Sequence, residues 1–204
     1  VTPGGTISSA PLTSMDAFNW QGAAIWRARP DLEFHASVSA RTRFPNLFER
    51  YSTRFGTNLP NPDLGPERAV NYQVGGTATI LDGDARVGGA VFYSDVGNAI
   101  QSVVLVPGTS QFQNIGKTTY YGFEVSGEWD ILPNLTVGGH YTLLKSRLSD
   151  PGRPDLKPVG RPEHVAYLYA HWSPVEKLTI TPSVELSSHR WSSTTNEQTF
   201  FKVP

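Results

Sequence analysis

Leu32-Glu33-Phe34-His35-Ala36-Ser37-Val38-Ser39-Ala40-Arg41 alternates apolar and polar residues for ten positions without a break. Successive side chains of a strand point to opposite faces, so this stretch is a strand with one greasy face and one wet face. The pattern repeats along the chain. Tyr121, Phe123, Val125, Gly127, Trp129 and Ile131 interleave with Gly122, Glu124, Ser126, Glu128 and Asp130. Leu135, Val137, Gly139, Tyr141 and Leu143 interleave with Thr136, Gly138, His140 and Thr142. Leu178, Ile180, Val184 and Leu186 interleave with Thr179, Thr181, Ser183 and Glu185. No window sustains apolar residues at helical spacing over three turns. The chain is all-β.

Eight strands are predicted, at about 18–28, 32–43, 68–81, 85–104, 117–131, 135–149, 163–173 and 177–192. Short connections at Pro30-Asp31, Asp82-Gly83, Pro133-Asn134 and Pro174 to Glu176 have the chemistry of tight reversals. Long connections run over about 44–67, 105–116 and 150–162. Tight turns on one rim and long loops on the other describe an up-and-down antiparallel sheet. Pro182 lies on an apolar strand face, removes a ladder donor, and predicts a bulge or strand end.

Composition excludes several classes. The 204 residues contain no cysteine, which removes disulfides, thiol catalysis and thiolate metal sites. Net charge is −1, so no electrostatic case exists for nucleic acid. The longest apolar run is six residues, Val165 to Ala170, far short of the roughly 20 a helical span needs. The chain opens on Val1-Thr2-Pro3 without Met or a signal sequence, and is expected to be a piece of a larger protein.

Most predicted strands reach ten residues or more, where globular strands peak at about five or six. Aromatics gather near strand ends: Trp20, Trp26, Tyr120, Tyr121, Trp129, Trp172 and Trp191. Ten-residue alternating segments, aromatic girdles and short-turn/long-loop asymmetry describe a transmembrane β-barrel. A soluble β-sandwich of a carbohydrate-binding or adhesion kind is the alternative. A kelch-like propeller is also considered, but its blades need four short strands per fifty residues, where this chain has two long ones.

A specific stretch narrows the choice. Ser39-Ala40-Arg41-Thr42-Arg43-Phe44-Pro45-Asn46-Leu47-Phe48-Glu49-Arg50-Tyr51 is followed by Asn61-Pro62-Asp63-Leu64-Gly65-Pro66-Glu67 and then by Asn71-Tyr72-Gln73-Val74-Gly75. Asn114-Ile115-Gly116 with Gly122-Phe123-Glu124, Leu135 to Thr142, and Pro162-Glu163-His164 come next in order. This series resembles the barrel domain of TonB-dependent outer-membrane receptors, with Gln73 where that family usually has Glu. The resemblance covers about 18–192. It implies a 22-stranded barrel, of which this chain is an eight-strand segment, with the plug domain and terminal strands absent. It also implies the bacterial outer membrane, a lipid surround, and an energy-coupling TonB protein acting through a missing N-terminal part. Its ligands are scarce molecules such as ferric siderophores, other metal chelates, cobalamin or oligosaccharides. No cofactor and no enzymatic activity are implied.

On the barrel reading, Leu32, Phe34, Ala36, Val38, Tyr121, Phe123, Val125 and Trp129 face lipid. Glu33, His35, Arg41, Glu124, Glu128, His140 and Glu185 then face the lumen. The loop 44–67 and its flank offer Arg43, Arg50, Tyr51, Arg54 and Phe55, a combination suited to an anionic or planar ligand. The plainer expectation for Phe44 to Tyr51 is that it folds against the rim. Trp191 and Gln111-Phe112-Gln113 are weaker candidates of the same kind.

Other chemistry fails on spacing. Gly116-Lys117-Thr118 resembles a phosphate loop, but Gln111 stands where that motif needs glycine. His164 and His171 lie about 23 Å apart along a strand and cannot share a metal. Glu124 and Glu128 are about 13 Å apart, beyond glycosidase carboxylate spacing. An outer-membrane hydrolase would have to work through Glu49, Asp63 and Glu67 at the rim.

Overall fold

A computed structural model describes residues 14–149 and 160–190. Its strands are β1 (Trp20–Arg29), β2 (Leu32–Arg43), β3 (Asn58–Leu59), β4 (Glu67–Ile80), β5 (Ala85–Val106), β6 (Thr109–Leu132), β7 (Leu135–Ser149), β8 (His164–Val175), β9 (Leu178–Ile180) and β10 (Ser183–Ser187). One short helix, α1 (Leu47–Tyr51), lies between β2 and β3. All the strands form one sheet in the order β1-β2-β4-β5-β6-β7-β8-β10, with β3 beside β6 and β9 beside β8. Every neighbour along the main path is antiparallel.

Two expectations are corrected. The segment 105–116 is not a loop: β5 and β6 continue through it and reverse at Pro107-Gly108, where Gly108 takes φ +82°. The hairpin therefore rises well beyond the other strands. The eighth strand is broken: β9 and β10 both pair with β8 and are parted at Thr181-Pro182. Pro182 has no N–H to give, but its carbonyl still accepts from Ala170 N at 3.1 Å. The end of that predicted strand, and Trp191, lie outside the described residues.

Residues directly opposite in a ladder share a face, so register carries each face across the sheet. One row runs Trp26–Phe34–Gly76–Gly89–Val125–Tyr141–Ala166–Leu186. The next toward the loops runs Ala24–Ala36–Val74–Val91–Phe123–Leu143–His164. Val74, Val91, Leu168 and Leu186 are each more than half exposed. Among the described residues no second layer covers this face, so the β-sandwich reading falls. A face this large and apolar calls for an apolar surround, and its alternating long strands are those of a lipid-facing barrel wall.

The face is bounded by aromatics. Trp26, Trp129 and Trp172 stand near the short turns; Trp20, Tyr72, Tyr93 and Tyr121 stand toward the loops. Tyr120 departs from its expected place in the girdle, because strand parity turns it to the polar face. Tyr121 and Trp129 are eight residues apart, about 27 Å along the strand, which at the usual tilt matches a lipid-facing band about 25 Å tall.

Backbones approach closely inside the wall. A methyl group at Gly122 would collide with the Leu143 carbonyl and meet the Phe92 ring, whose Cζ lies 3.0 Å away. The aromatic ring of one strand fills the space the neighbouring glycine leaves. Most of the deeply buried described residues lie instead toward the loop rim: Leu64, Ile115 and Thr118 at 0% exposure, with Val103 and Ala99 at 2%.

Candidate functional site

The rim is built from the segment 44–66 laid against the raised β5–β6 hairpin. Asn46 starts α1 with a capping box: its Oδ1 accepts from Glu49 N at 2.9 Å, and Glu49 Oε2 accepts from Asn46 N at 2.9 Å. Each satisfies a backbone donor left free at a helix start. The chain then runs as β3 parallel to Ser110 and Gln111 of β6. Asn61 Nδ2 donates to Phe112 O at 2.8 Å, and Phe48 meets the Phe112 ring edge-on at 6.0 Å. Asn114 closes the contact: Oδ1 accepts from Gly65 N at 2.8 Å, and Nδ2 donates to Gly65 O at 3.0 Å and Asn98 O at 2.9 Å.

The five loop residues expected to meet a ligand separate into two groups. Arg43 is a clamp: Nε donates to Glu67 at 2.7 Å and Nη1 to Glu49 at 2.9 Å. Glu67, then Glu49, hold the Arg43 guanidinium above its ordinary pKa, against the opposing effect of partial burial. Glu67 Oε2 also accepts from Ile100 N at 2.9 Å, tying the clamp to the hairpin. Arg50 is buried, and both Nε and Nη2 donate to Pro62 O. Its guanidinium lies 5.3 Å from the centre of the half-buried Tyr51 ring. Arg43, Arg50 and Tyr51 thus make their contacts within the rim itself.

Arg54 and Phe55 form the other group. They sit at a tight turn before β3 with φ +40° and +57°, in the left-handed region uncommon for side-chain-bearing residues. Phe55 is fully exposed, and Arg54 has no ion pair or side-chain hydrogen bond among the described residues. A bulky ring and a guanidinium held outward on a strained turn are a candidate ligand contact.

The register puts Glu33, His35, Arg41, Glu124, Glu128 and His140 on one face, opposite the apolar one, together with Glu185. Most are partnered. Arg27 pairs with Glu33 at 3.0 Å, Arg41 donates to Gln21 at 2.6 Å, and Tyr169 donates to Glu128 at 2.6 Å. Gln73, where the resemblance leads one to expect Glu, donates to Glu124 at 3.0 Å, a bond a second carboxylate could not give. His140 stacks on Tyr167 at 5.4 Å. A hollow of about 510 Å³ lies where glycines thin the wall, lined by His35, Thr77, Glu124, Ser126 and His140. Among the described residues no cluster of His, Asp and Glu could hold a metal.

Sequence reasoning missed Asn114 as the tie of the rim, and Arg161, whose guanidinium lies 4.7 Å from the Tyr120 ring centre. The spacing Asn46 to Glu49 was a readable sign of α1. Glu49 and Glu67, two of the three carboxylates a rim hydrolase would use, are engaged by Arg43.

A single antiparallel wall, apolar on one face, polar on the other and belted by aromatics, is a segment of an outer-membrane β-barrel. The family model described as TonB dependent receptor-like, beta-barrel matches residues 2–204; the chain belongs to this family and to the bacterial outer membrane. The catecholate siderophore receptor Fiu of Escherichia coli strain K12 is 21% identical over 192 residues, 87% of this chain and 24% of Fiu. The crystal structure of the ferric-catecholate import receptor Fiu from K12 E. coli matches with TM-score 0.64 and 20% identity, over 95% of this chain and 28% of that one. A point mutant of the ferric enterobactin receptor PfeA of Pseudomonas aeruginosa, solved in complex with enterobactin, matches with TM-score 0.66 and 16% identity, over 85% of this chain and 28% of that one. The chain spans about a quarter of the length of the curated relatives it matches.

Proposed function

We propose that the full-length receptor carrying this chain imports a ferric siderophore across the outer membrane. The observation that carries this reading is the rim. An ordered loop, packed on a raised hairpin, displays Arg54 and Phe55 above a wall of receptor-family architecture. A catecholate-type iron complex is anionic and aromatic. A guanidinium donates to its oxygens, and a phenyl ring lies against its planar groups. The names of the relatives, a catecholate siderophore receptor and a ferric enterobactin receptor, point to the same ligand class.

Three tasks divide among this chain's residues. The hydrogen-bonded wall supplies a rigid frame. Arg43, Arg50 and Asn114 hold the loop in place, which lowers the ordering needed when ligand arrives. Glu33, His35, Arg41, Glu124, Glu128 and His140 face the lumen, where they hydrate it and meet a plug. A 22-stranded barrel supplies the strands that both sheet edges need, because unpaired backbone groups are not tolerated in hydrocarbon. Energy enters through TonB pulling on the plug, so the wall itself catalyses nothing.

The test is uptake of radiolabelled ferric catecholate by cells making the full-length receptor. Uptake is expected to stop on collapsing the proton-motive force; undiminished uptake after uncoupling would refute active transport. Arg54→Gln with Phe55→Ala is expected to weaken binding roughly tenfold or more. Transport of cobalamin or an oligosaccharide, with no binding of iron chelates, would replace the ligand class.

A further inference from the structure

The lumen face of a barrel wall is expected to be polar. Over β1, β2 and β4 it is: the inward positions of these strands hold no phenyl, phenol or indole ring. Over β5 to β8 the same face carries rings in file. Tyr120 stands at the loop end. Phe92 comes one row nearer the short turns, with its ring beside Gly122. Two rows on, His140 and Tyr167 stand opposite each other. Tyr169 lies one row beyond them and His171 one row beyond that, at the level of Asp130. Strand parity turns all six to the lumen. From the level of Tyr120 to that of Asp130 the file runs about 33 Å along the strand, which at the usual tilt spans about 25 Å of membrane. On these four strands the Glu124 row alone interrupts it, and there the wall recedes into the hollow of about 510 Å³.

The rings are spaced for contact with one another. His140 and Tyr167 are 5.4 Å apart, Tyr167 and Tyr169 5.9 Å, Tyr169 and His171 5.1 Å. Aromatic rings attract over centroid distances of about 4.5–7 Å. A planar ring leaving one member therefore already touches the next. Tyr167 and Tyr169 are half-buried, and His140 and His171 are exposed. Tyr169 is held in place: its hydroxyl donates to Glu128 at 2.6 Å, and its phenol lies over Gly138, where a methyl group would collide with it. The two carboxylates beside the file are compensated. Glu128 accepts from Tyr169 and stands opposite Arg86, and Glu124 accepts from Gln73 at 3.0 Å. At the loop end the Arg161 guanidinium lies 4.7 Å from the Tyr120 ring centre.

We infer that this file is a slide, along which the aromatic rings of a ferric catecholate pass from the loop end of the lumen to the short-turn end once the plug is displaced. A fixed seat for the plug needs one set of complementary contacts. A moving ligand needs the same contact repeated along its way, and the wall repeats it along the direction of transport. The anionic ring systems of such a complex meet ring faces with a guanidinium beside Tyr120 and imidazoles beside Tyr167 and Tyr169. Each contact is weak, as passage requires: a site in a pore must be favourable enough to enter and weak enough to leave. The inference rests on the siderophore reading and adds a route to it.

The test uses cells making the full-length receptor. Energy-depleted cells are charged with the radiolabelled ferric complex of a tris-catecholate chelator, washed, and then re-energised. The amount bound reads capture at the rim; the rate of transfer after re-energising reads passage. Tyr167→Leu with Tyr169→Leu is expected to leave the bound amount within about twofold and to slow transfer roughly tenfold. Tyr167→Phe with Tyr169→Phe keeps both rings and is expected to transfer within about twofold of wild type. Heat-modifiable migration on a gel shows that each variant has folded. The same complex carrying an aryl azide is expected to crosslink to β8 on illumination only after energy is restored. Wild-type transfer in the folded Leu variant, equal slowing in the Phe variant, or crosslinks at the rim alone during transfer would overturn the slide while leaving the siderophore reading intact. Passage of a bulky antibiotic through the resting Leu variant but not through wild type would also overturn it, because the rings would then be seating the plug. Failure of the wild-type receptor to bind the complex at all would refute the siderophore reading, and the slide with it.

Discussion

Replacing Asn114 by Ala tests whether the loop 44–66 is held to the hairpin as the structure shows. The substitution deletes three hydrogen bonds at once, to Gly65 N, Gly65 O and Asn98 O, of 2.8, 3.0 and 2.9 Å. A net intramolecular hydrogen bond contributes about 0.5–1.5 kcal/mol, so three sum to about 1.5–4.5 kcal/mol. Gly65 is only half-buried and recovers some bonding from water, which places the expected loss near 2 kcal/mol. Because Leu64 beside it is fully buried, that loss is felt as local opening of the loop rather than of the wall. Amide hydrogen exchange on the full-length receptor reads it directly. Exchange at Leu64, Gly65 and Ser110 is expected to quicken about 30-fold. Amides of the β4–β5 ladder are expected to stay as protected as before. Asn114→Asp is expected not to rescue, since a carboxylate cannot donate to the Gly65 and Asn98 carbonyls. Exchange within threefold of wild type at those three amides would refute the claim that Asn114 ties the rim.

Arg43→Lys is expected to loosen the same loop almost as much as Arg43→Gln, because an ammonium lacks the fork that spans Glu49 and Glu67; the clamp is nearly half exposed, so exchange should reveal about 1 kcal/mol or less. Gly122→Ala forces a methyl group against the Leu143 carbonyl and is expected to destabilise the barrel by about 1–3 kcal/mol, seen as heat-modified migration at lower temperature; wild-type behaviour would contradict the close approach of β6 and β7. The hydrogen bond from Lys145 holds the Glu163 carboxyl below the usual carboxylate range. A carboxylate so lowered stabilises the folded state above its ordinary pKa and loses that contribution as pH falls through the lowered value. Carboxyl NMR titration is therefore expected to show a depressed midpoint for Glu163, moving back toward the ordinary value in about 1 M salt, because the pair is exposed.

Much of the wall was legible in the residues. A period of two, carried through Leu32 to Ala40 and Tyr121 to Ile131, fixes the faces before any neighbour is known, because strand geometry alone sends alternate side chains opposite ways. Asp82-Gly83 and Pro133-Asn134 mark reversals for equally local reasons. Pro182 announced its break by lacking an N–H. The rise of β5 and β6 through 105–116 was not legible. Above the membrane no lipid selects apolar residues on one face, so Gln111, Gln113 and Asn114 show no alternation. They are strand because the loop and the neighbouring strand pair with them.

The rim divides in the same way. Its sequence announces Arg43, Arg50, Arg54, Tyr51 and Phe55 as guanidinium and aromatic groups, and residue type settles what bonds they can form. It does not settle whether the partner is a ligand or the protein's own backbone. Folding decided that, by bringing Glu67 to Arg43 from 24 residues along the chain and the Pro62 carbonyl to Arg50 from 12. Arg43 and Arg50 are thereby engaged, while Arg54 and Phe55 stay outward. The amino-acid sequence by itself determined a two-faced antiparallel wall, since face and turn follow from local stereochemistry. Only the tertiary structure decided which charges remain free, since that depends on which distant groups the closed register places within hydrogen-bonding reach.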